Sequence, residues 1–143
     1  MAKAYISMGS NLEPRMEHLR AAARALDRPP LKLSGLSALY ETEPVGVEDQ
    51  PLFLNAMAAV ETALGPEALL ARLQEIEREA KKKVAYRWGP RTLDLDLVLY
   101  GMETRDTADL VLPHPRMHER SFVLVPLCEL DPGGKKTERY TGA

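Results

Sequence analysis

Residues 93–100 read Leu-Asp-Leu-Asp-Leu-Val-Leu-Tyr, an alternation with a period of two. That is the period of a β-strand, in which successive side chains point to opposite faces of a sheet. We expect one face to carry Leu93, Leu95, Leu97 and Leu99. We expect the other face to carry Asp94, Asp96, Val98 and Tyr100. The two carboxylates therefore share a face.

Two residues apart on a strand, Asp94 and Asp96 have Cα atoms about 6.5 Å from each other. At about 5 Å and an effective dielectric of about 20, their carboxylates repel by roughly 3 kcal/mol. A metal ion, an arginine or a bound proton would relieve that repulsion, and Arg91 nearby supplies one positive charge. The pattern also fits the solvated side of an amphipathic strand, and Asp-x-Asp alone does not decide between the two.

The charge of the chain is balanced overall and uneven locally. Lysine and arginine number 19 against 21 aspartate and glutamate, a net charge of −2 that argues against binding nucleic acid or anionic membrane by bulk charge. A basic run leads into the Asp-x-Asp strand, opposed only by Glu79: Arg78, Lys81, Lys82, Lys83, Arg87 and Arg91. Cations beside paired carboxylates suit a metal-bound polyphosphate.

Length and cysteine content indicate one cytoplasmic domain. A chain of 143 residues can bury one core, so we expect residues 1–143 to form a single domain. Cys128 is the one cysteine and cannot form an intramolecular disulfide, which is typical of a reducing compartment. No apolar run approaches the ~20 residues of a membrane span. We expect a cytoplasmic protein without a membrane partner.

Hydrophobic periodicity and turn residues predict a βαββαβ order. We expect strands at residues 4–8, 31–42, 54–64 and 93–100, and helices at 12–27, 65–83 and 121–130. Gly9-Ser10-Asn11 reads as a turn, Gly35 as a bulge, 43–53 as a loop that can act as a lid, and 102–109 as a polar connection. The order predicts an α+β domain with a ferredoxin-like βαββαβ core, an antiparallel sheet with helices packed on it.

Four polar residues stand out, each with two interpretations. Asn55 lies on a mostly apolar strand and either binds a ligand or satisfies a neighbouring backbone group. Gln74 and Glu77, three apart on a helix, either bind a ligand together or border the core stripe. His114 is held between two prolines, so it is either directed at a ligand or part of a turn.

Four blocks of the sequence together resemble the 6-hydroxymethyl-7,8-dihydropterin pyrophosphokinase family of folate biosynthesis. They are Tyr-Ile-Ser-Met-Gly-Ser-Asn-Leu at 5–12, residues 40–46 with 49–56, residues 87–101, and Leu-Pro-His-Pro-Arg-Met-His-Glu-Arg at 112–120. The resemblance runs from about Ala4 to Leu130 in the order of the family.

The resemblance implies transfer of the pyrophosphoryl group of ATP to the pterin, with release of AMP. It implies that Asp94 and Asp96 hold two Mg²⁺ ions and that Arg91, His114 and Arg120 contact the phosphates as part of the catalytic set. It places these further residues beside ATP: Gln74, Glu77, Trp88 and, through its backbone, Leu97. Segment 81–87 departs from the family pattern, because lysines stand where members usually carry glycine and arginine.

For the pterin, the resemblance implies a sandwich of the flat ring between Phe53 and Phe122, a sensible use of aromatic stacking. Asn55 matches the side chain that reads the amide edge of the pterin, which both donates and accepts hydrogen bonds as asparagine does. Thr42 and Val45 match positions that contribute backbone contacts. We expect a monomer that binds ATP and 6-hydroxymethyl-7,8-dihydropterin.

A non-catalytic module that binds RNA or another ligand is the alternative, because RNA-recognition domains share the βαββαβ topology. The predicted sheet lacks their aromatic-rich motif, and the net charge is −2. The sequence therefore favours a Mg-dependent ATP diphosphokinase that binds no nucleic acid.

Overall fold

The structure, a computed structural model, describes residues 1–42, 52–82 and 93–114. Its elements in chain order are β1 (Ala2–Ser10), α1 (Arg15–Ala25), β2 (Leu31–Leu36), β3 (Tyr40–Thr42), β4 (Phe53–Thr62), α2 (Pro66–Lys82), β5 (Asp94–Tyr100), β6 (Arg105–Asp106) and β7 (Val111–Leu112). No helix of this described part is long and apolar enough to cross a membrane.

The main sheet has the strand order β2-β4-β1-β5, and β3 also pairs with β4. All of its pairs are antiparallel. β1 and β2 therefore run parallel to each other with β4 between them, and β4 and β5 run parallel with β1 between them. Two interleaved β-α-β units of this kind make a ferredoxin-like sheet, so the predicted α+β architecture is confirmed.

Both helices pack on one face of this sheet. α2 buries Leu69, Leu73 and Ile76, whose spacing of four and three places them on one face of a helix, and α1 buries Leu19 and Ala22. The strands meet them with one alternate set of side chains: Ala4, Ile6, Met8, Ala56, Ala58, Val60, Leu93, Leu95 and Leu97. Because strand side chains alternate, the other set, which includes Asn55, Asp94 and Asp96, lies on the face away from the helices.

β1 continues through Gly9 and Ser10, so the prediction of a turn there is wrong. Glycine, serine and asparagine favour turns locally, yet Gly9 pairs with Asn55 on one side and Asp94 on the other, and Ser10 pairs with Leu54. Pairing on both edges of a central strand outweighs the local preference. The chain leaves the sheet only at Asn11.

The predicted strand at 31–42 is two strands along the same edge of β4. The register shifts between Leu33 and Gly35, which confirms the predicted bulge. The break comes at Ser37, whose Oγ accepts a hydrogen bond from the Met57 amide at 2.8 Å. A side-chain oxygen thus stands in for a backbone carbonyl, and the ladder resumes only at Tyr40.

β5 also contains a bulge, and this corrects the predicted alternation beyond Leu97. Ile6 pairs with Leu97 but Tyr5 pairs with Leu99, which leaves Val98 as an additional residue. Tyr100 therefore belongs to the core cluster on the helix face, and not to the face of the aspartates as predicted. Its hydroxyl donates a hydrogen bond to the Leu64 carbonyl, and burial raises the pKa of the phenol.

The predicted polar connection at 102–109 contains β6, which pairs with β7 as a separate two-stranded ribbon. Arg105 attaches this ribbon to the start of α2, because its Nε lies 2.7 Å from Glu67 Oε2. Its Nη1 also lies 2.9 Å from Glu103 Oε1.

Several predicted features lie outside the described residues. They are most of the 43–53 loop, the basic residues from 83 to 92, the helix at 121–130, Cys128, and the site residues Val45, Trp88, Arg91, Arg120 and Phe122.

Candidate active site

Two rows of paired residues cross the sheet on the face away from the helices. One row joins Asn55 of β4, Gly9 of β1 and Asp94 of β5. The next row joins Met57, Ser7 and Asp96 in the same way. Asp94 is half-buried and Asp96 is exposed. The residues matched to the metal and to the pterin therefore share one face, separated by a single strand.

Asn55 is held by its donor end. Its Nδ2 donates to the Thr42 Oγ1 at 2.6 Å and to the Tyr40 carbonyl at 3.4 Å. The side chain is buried, with 4% of the residue exposed. Part of the second interpretation of Asn55 is therefore correct, because it does satisfy a backbone carbonyl, while Oδ1 points across the sheet toward Gly9.

Phe53 lies on the same side of β4 as Asn55, two residues earlier, and pairs with Thr42 of β3. Its ring is half-buried. Phe53, Asn55 and Thr42, three residues matched to the pterin, are thus brought together at one end of the sheet.

Glu77 has a role in the fold. Its Oε2 accepts a hydrogen bond from the Leu95 amide at 2.8 Å, which fixes α2 against the outer edge of β5. Gln74, one turn earlier on the helix, is exposed. The sequence identified Glu77 only as a polar residue beside the apolar face of the helix. Its hydrogen bond to the amide of an edge strand could not be seen there.

A cavity of about 230 Å³ opens along that outer edge of β5, between α2 and the β6–β7 ribbon. It is lined by Leu70, Leu95, Asp96, Leu97, Ala108, Asp109, Leu110, Val111 and His114. The Leu95 amide faces outward, toward Glu77. In an antiparallel strand the amide and carbonyl of every second residue face the same edge, so those of Leu97 also face outward. Polar backbone thus faces the cavity.

His114 reaches the cavity because its backbone is attached to β5. Its amide donates to the Val98 carbonyl at 3.0 Å. The bulge that displaces Leu99 and Tyr100 exposes this carbonyl to the ribbon. Asp96, which the resemblance matches to the metal, therefore lines one cavity with Leu97 and His114, which it matches to ATP.

Asp94 and Asp96, the pair that the resemblance matches to the metal, have the chemistry to hold a divalent cation. Carboxylate oxygens suit Mg²⁺, which in phosphate-transferring enzymes takes one or two carboxylates and completes its shell with phosphate oxygens and water. Within the described ranges, no group of three His, Cys, Asp or Glu side chains could hold a metal ion. Phosphate oxygens and water would therefore have to complete the shell of a metal at Asp94 and Asp96. The donor set fits Mg²⁺ delivered with a polyphosphate.

Arg15 is a residue beside this site that the sequence analysis did not single out. Its Nη1 lies 2.8 Å from Glu41 Oε2 and 3.0 Å from the Leu52 carbonyl oxygen. Hydrogen bonds to Glu41 and Glu13 raise the pKa of its guanidinium. Arg15 thereby holds β3 near the beginning of β4, where Thr42 meets Phe53.

The sequence matches the family model of 7,8-dihydro-6-hydroxymethylpterin-pyrophosphokinase over residues 5–132. A 2-amino-4-hydroxy-6-hydroxymethyldihydropteridine pyrophosphokinase of Bacillus subtilis is 46% identical over 128 residues, which cover 89% of this chain and 77% of that protein. The Haemophilus influenzae protein of the same name is 46% identical over 131 residues, 91% of this chain and 82% of that protein.

Longer proteins match as well. A mitochondrial folate synthesis bifunctional protein of Arabidopsis thaliana is 47% identical over 125 residues, 87% of this chain but 23% of that protein. Among solved structures, the fold is similar to an HPPK-DHPS in complex with substrates, with a TM-score of 0.68 and 16% identity over 92% of this chain and 40% of that chain.

These relatives do not favour the alternative of a non-catalytic RNA- or ligand-binding module. The family model covers both rows of the sheet face and the cavity beside β5. The chain belongs to the 7,8-dihydro-6-hydroxymethylpterin-pyrophosphokinase family, the pyrophosphoryl-transferring enzymes of folate synthesis.

Proposed function

We propose that this chain transfers the β,γ-pyrophosphoryl group of ATP to the hydroxymethyl oxygen of 6-hydroxymethyl-7,8-dihydropterin, and that Mg²⁺ is required. The observation that supports this most is the row Asn55–Gly9–Asp94. Two strand spacings, about 10 Å, separate the outer members of the row. A pterin read by Asn55 would thus point its hydroxymethyl group toward the carboxylates.

The pterin would lie over the β4 end of that row. Its flat ring would stack on Phe53, and its amide edge would donate a hydrogen bond to Asn55 Oδ1, since Nδ2 already donates to Thr42 and Tyr40. Thr42 supports this site through its 2.6 Å hydrogen bond to Asn55 Nδ2. On the family pattern, Phe122 would complete the sandwich and Val45 would add a backbone contact.

ATP would enter from the opposite edge of the sheet. The adenine edge has a donor and an acceptor, which the outward amide and carbonyl of Leu97 can match in the cavity beside β5. His114 lies at the same cavity, where it would meet a phosphate. Arg91 and Arg120 would add positive charge to the phosphates, Trp88 would help to enclose them, and Gln74 and Glu77 would lie near the nucleotide.

Asp94 and Asp96 would hold two Mg²⁺ ions with the triphosphate. When bound, the ions would neutralise the charge that develops on the phosphate oxygens. The chain's own residues would mostly position the reactants. In the reaction a bond would form between the pterin oxygen and the β-phosphorus, and the hydroxyl proton would pass to solvent. The bond from the β-phosphorus to the bridging oxygen would break, and AMP would leave with that oxygen.

The test is to measure nucleotide products from ATP and Mg²⁺, with and without 6-hydroxymethyl-7,8-dihydropterin. We expect AMP only when the pterin is present, and no AMP when EDTA removes the metal. ADP as the product would mean transfer of one phosphate and would contradict attack at the β-phosphorus. If the pterin leaves ATP unchanged, the proposed substrate is wrong.

The single domain over residues 1–143, the monomeric state and the cytoplasmic location stay predictions. Size-exclusion chromatography with light scattering tests the monomer directly, since a dimer would double the 15.9 kDa mass of the chain.

A further inference from the structure

We propose that Gly9 is a specificity-determining position for the pterin, because the absence of a side chain there sets the orientation of the Asn55 amide. This inference rests on the proposed function of the site. It assigns the role to a residue of β1 that would act through its neighbour Asn55 on β4.

The space at Gly9 is already occupied by the two side chains matched to the pterin. A Cβ atom built on Gly9 would lie 2.9 Å from Asn55 Oδ1 and 3.5 Å from Phe53 Cδ1. Real Cβ atoms essentially never approach another heavy atom closer than 3.0 Å. Any larger residue at this position would therefore move the amide oxygen of Asn55, whereas the Phe53 ring would be in ordinary van der Waals contact with the new Cβ.

Asn55 has little freedom to accommodate such a contact. Its Nδ2 is held by Thr42 Oγ1 at 2.6 Å and by the Tyr40 carbonyl at 3.4 Å. Only 4% of the residue is exposed, so neighbouring atoms limit its rotation. Thr42 thus fixes Nδ2 of Asn55, and the absence of a side chain at Gly9 leaves space for Oδ1 of Asn55.

The backbone does not need glycine at this position. Among the described residues only Gly101 has a positive φ, at 52°, whereas Gly9 has the extended conformation that any residue adopts. Glycine inside a strand weakens the strand and often marks a close approach of other atoms. Here the approaching atoms belong to Asn55 and Phe53, which points to a role in the site.

The orientation of Asn55 matters for recognition because the amide edge of the pterin carries both a donor and an acceptor. Asn55 would bond to that edge through Oδ1 as an acceptor, because its Nδ2 already donates to Thr42 and Tyr40. A displaced Oδ1 would lose this hydrogen bond, which weakens binding of the pterin without changing the nucleotide cavity on the far edge of β5.

The test compares Gly9→Ala with Gly65→Ala in steady-state assays of AMP formation. Gly65 is the matched control, because a Cβ there meets nothing within 4 Å and its φ is not positive. We expect Gly9→Ala to raise the KM for the pterin about tenfold, the factor for one lost hydrogen bond. The KM for ATP should stay within about twofold, and Gly65→Ala should change neither.

A double variant separates the Asn55 contact from damage to the strand. Asn55→Ser removes the atom that a Cβ at position 9 would meet, so adding Gly9→Ala to it should change the pterin KM by less than about twofold. If Gly9→Ala alone fails to fold, a folded double variant with the pterin KM of Asn55→Ser still supports the inference.

The outcomes are distinct. An unchanged pterin KM in folded Gly9→Ala, or equal increases for pterin and ATP, would overturn the role of Gly9 while the pyrophosphokinase activity of the unmodified protein stands. A further tenfold loss when Gly9→Ala is added to Asn55→Ser would also overturn it. Absence of pterin-dependent AMP in the unmodified protein would overturn the proposed function, and this inference with it.

Discussion

Asp96 is the exposed carboxylate of the pair on β5, and it lines the cavity where the nucleotide is proposed to bind. Asp96→Asn keeps the size of the side chain and removes its charge. Because the charge is what holds a divalent cation, we expect kcat for AMP formation to fall by about 100-fold or more. Circular dichroism should show an unchanged fold, since the side chain is outside the core.

The control for this variant is Asp109→Asn. Asp109 is exposed and lines the same cavity, but it lies on the turn between β6 and β7. The Asp109→Asn variant should keep nearly the full kcat for AMP formation. An Asp96→Asn enzyme with normal kcat, or equal losses in both variants, would contradict a metal role specific to β5.

Residue spacing predicted Asp94 and Asp96 correctly because the period of a strand is local. The same spacing failed two residues after Asp96, where Val98 forms a bulge and moves Tyr100 into the core. A bulge depends on the register with β1, which no pattern within residues 93–100 contains. The prediction of a turn at Gly9 was wrong for a similar reason, since pairing with Asn55 and Asp94 overrode the local preference of glycine for a turn.

At the scale of elements, the β6–β7 ribbon was not predicted, although it forms one wall of the cavity where the nucleotide is proposed to bind. Its strands have two residues each, too short for periodicity to reveal. It is attached by distant partners: Arg105 bonds to Glu67 at the start of α2, and the His114 amide bonds to Val98 of β5. The contact of Arg105 with Glu67 spans 38 positions of sequence and therefore leaves no local signal.

We expect Arg105→Gln to raise the KM for ATP about two- to fivefold, because exposed ion pairs contribute little individually but this one holds a wall of the cavity. The KM for the pterin should not change. Arg72→Gln is the matched control, since it removes a 3.1 Å ion pair to Glu75 within α2 that contacts neither the ribbon nor the cavity. Equal effects of the two variants on the KM for ATP would contradict a role of the ribbon in nucleotide binding.

The same ion pair gives a dependence on pH. A hydrogen bond from Arg105 holds the pKa of Glu67 below its ordinary 4.5. A lowered pKa in the folded state means that the stabilisation is complete above about pH 4.5 and is lost as the pH falls through the lowered pKa. The melting temperature of Glu67→Gln should therefore approach that of the unmodified protein as the pH is lowered below 4.5. A constant difference down to pH 3 would contradict this coupling.

At the scale of the whole molecule, one face of the sheet packs in the core and the other carries the residues of the proposed site. The helix face carries the core cluster with Leu69, Leu73 and Ile76 of α2. The other face carries the paired rows with Asn55 and the aspartates. The order of the main elements along the chain and the helix face follow from hydrophobic periodicity, whereas the polar contacts that position the site depend on the assembled sheet and could not be predicted.

This division predicts that a cavity in the core weakens the fold without changing substrate recognition. Leu73 is fully buried beneath the sheet, so Leu73→Ala should lower the free energy of unfolding by about 2–5 kcal/mol in urea titrations, with an unchanged m-value. Leu73→Met, which conserves volume, should cost less than about 1.5 kcal/mol. At a temperature where both variants are folded, the KM values for ATP and pterin should match those of the unmodified protein. A raised KM for ATP in Leu73→Ala alone would instead mean that α2 transmits its packing to the cavity through the bond between Glu77 and Leu95.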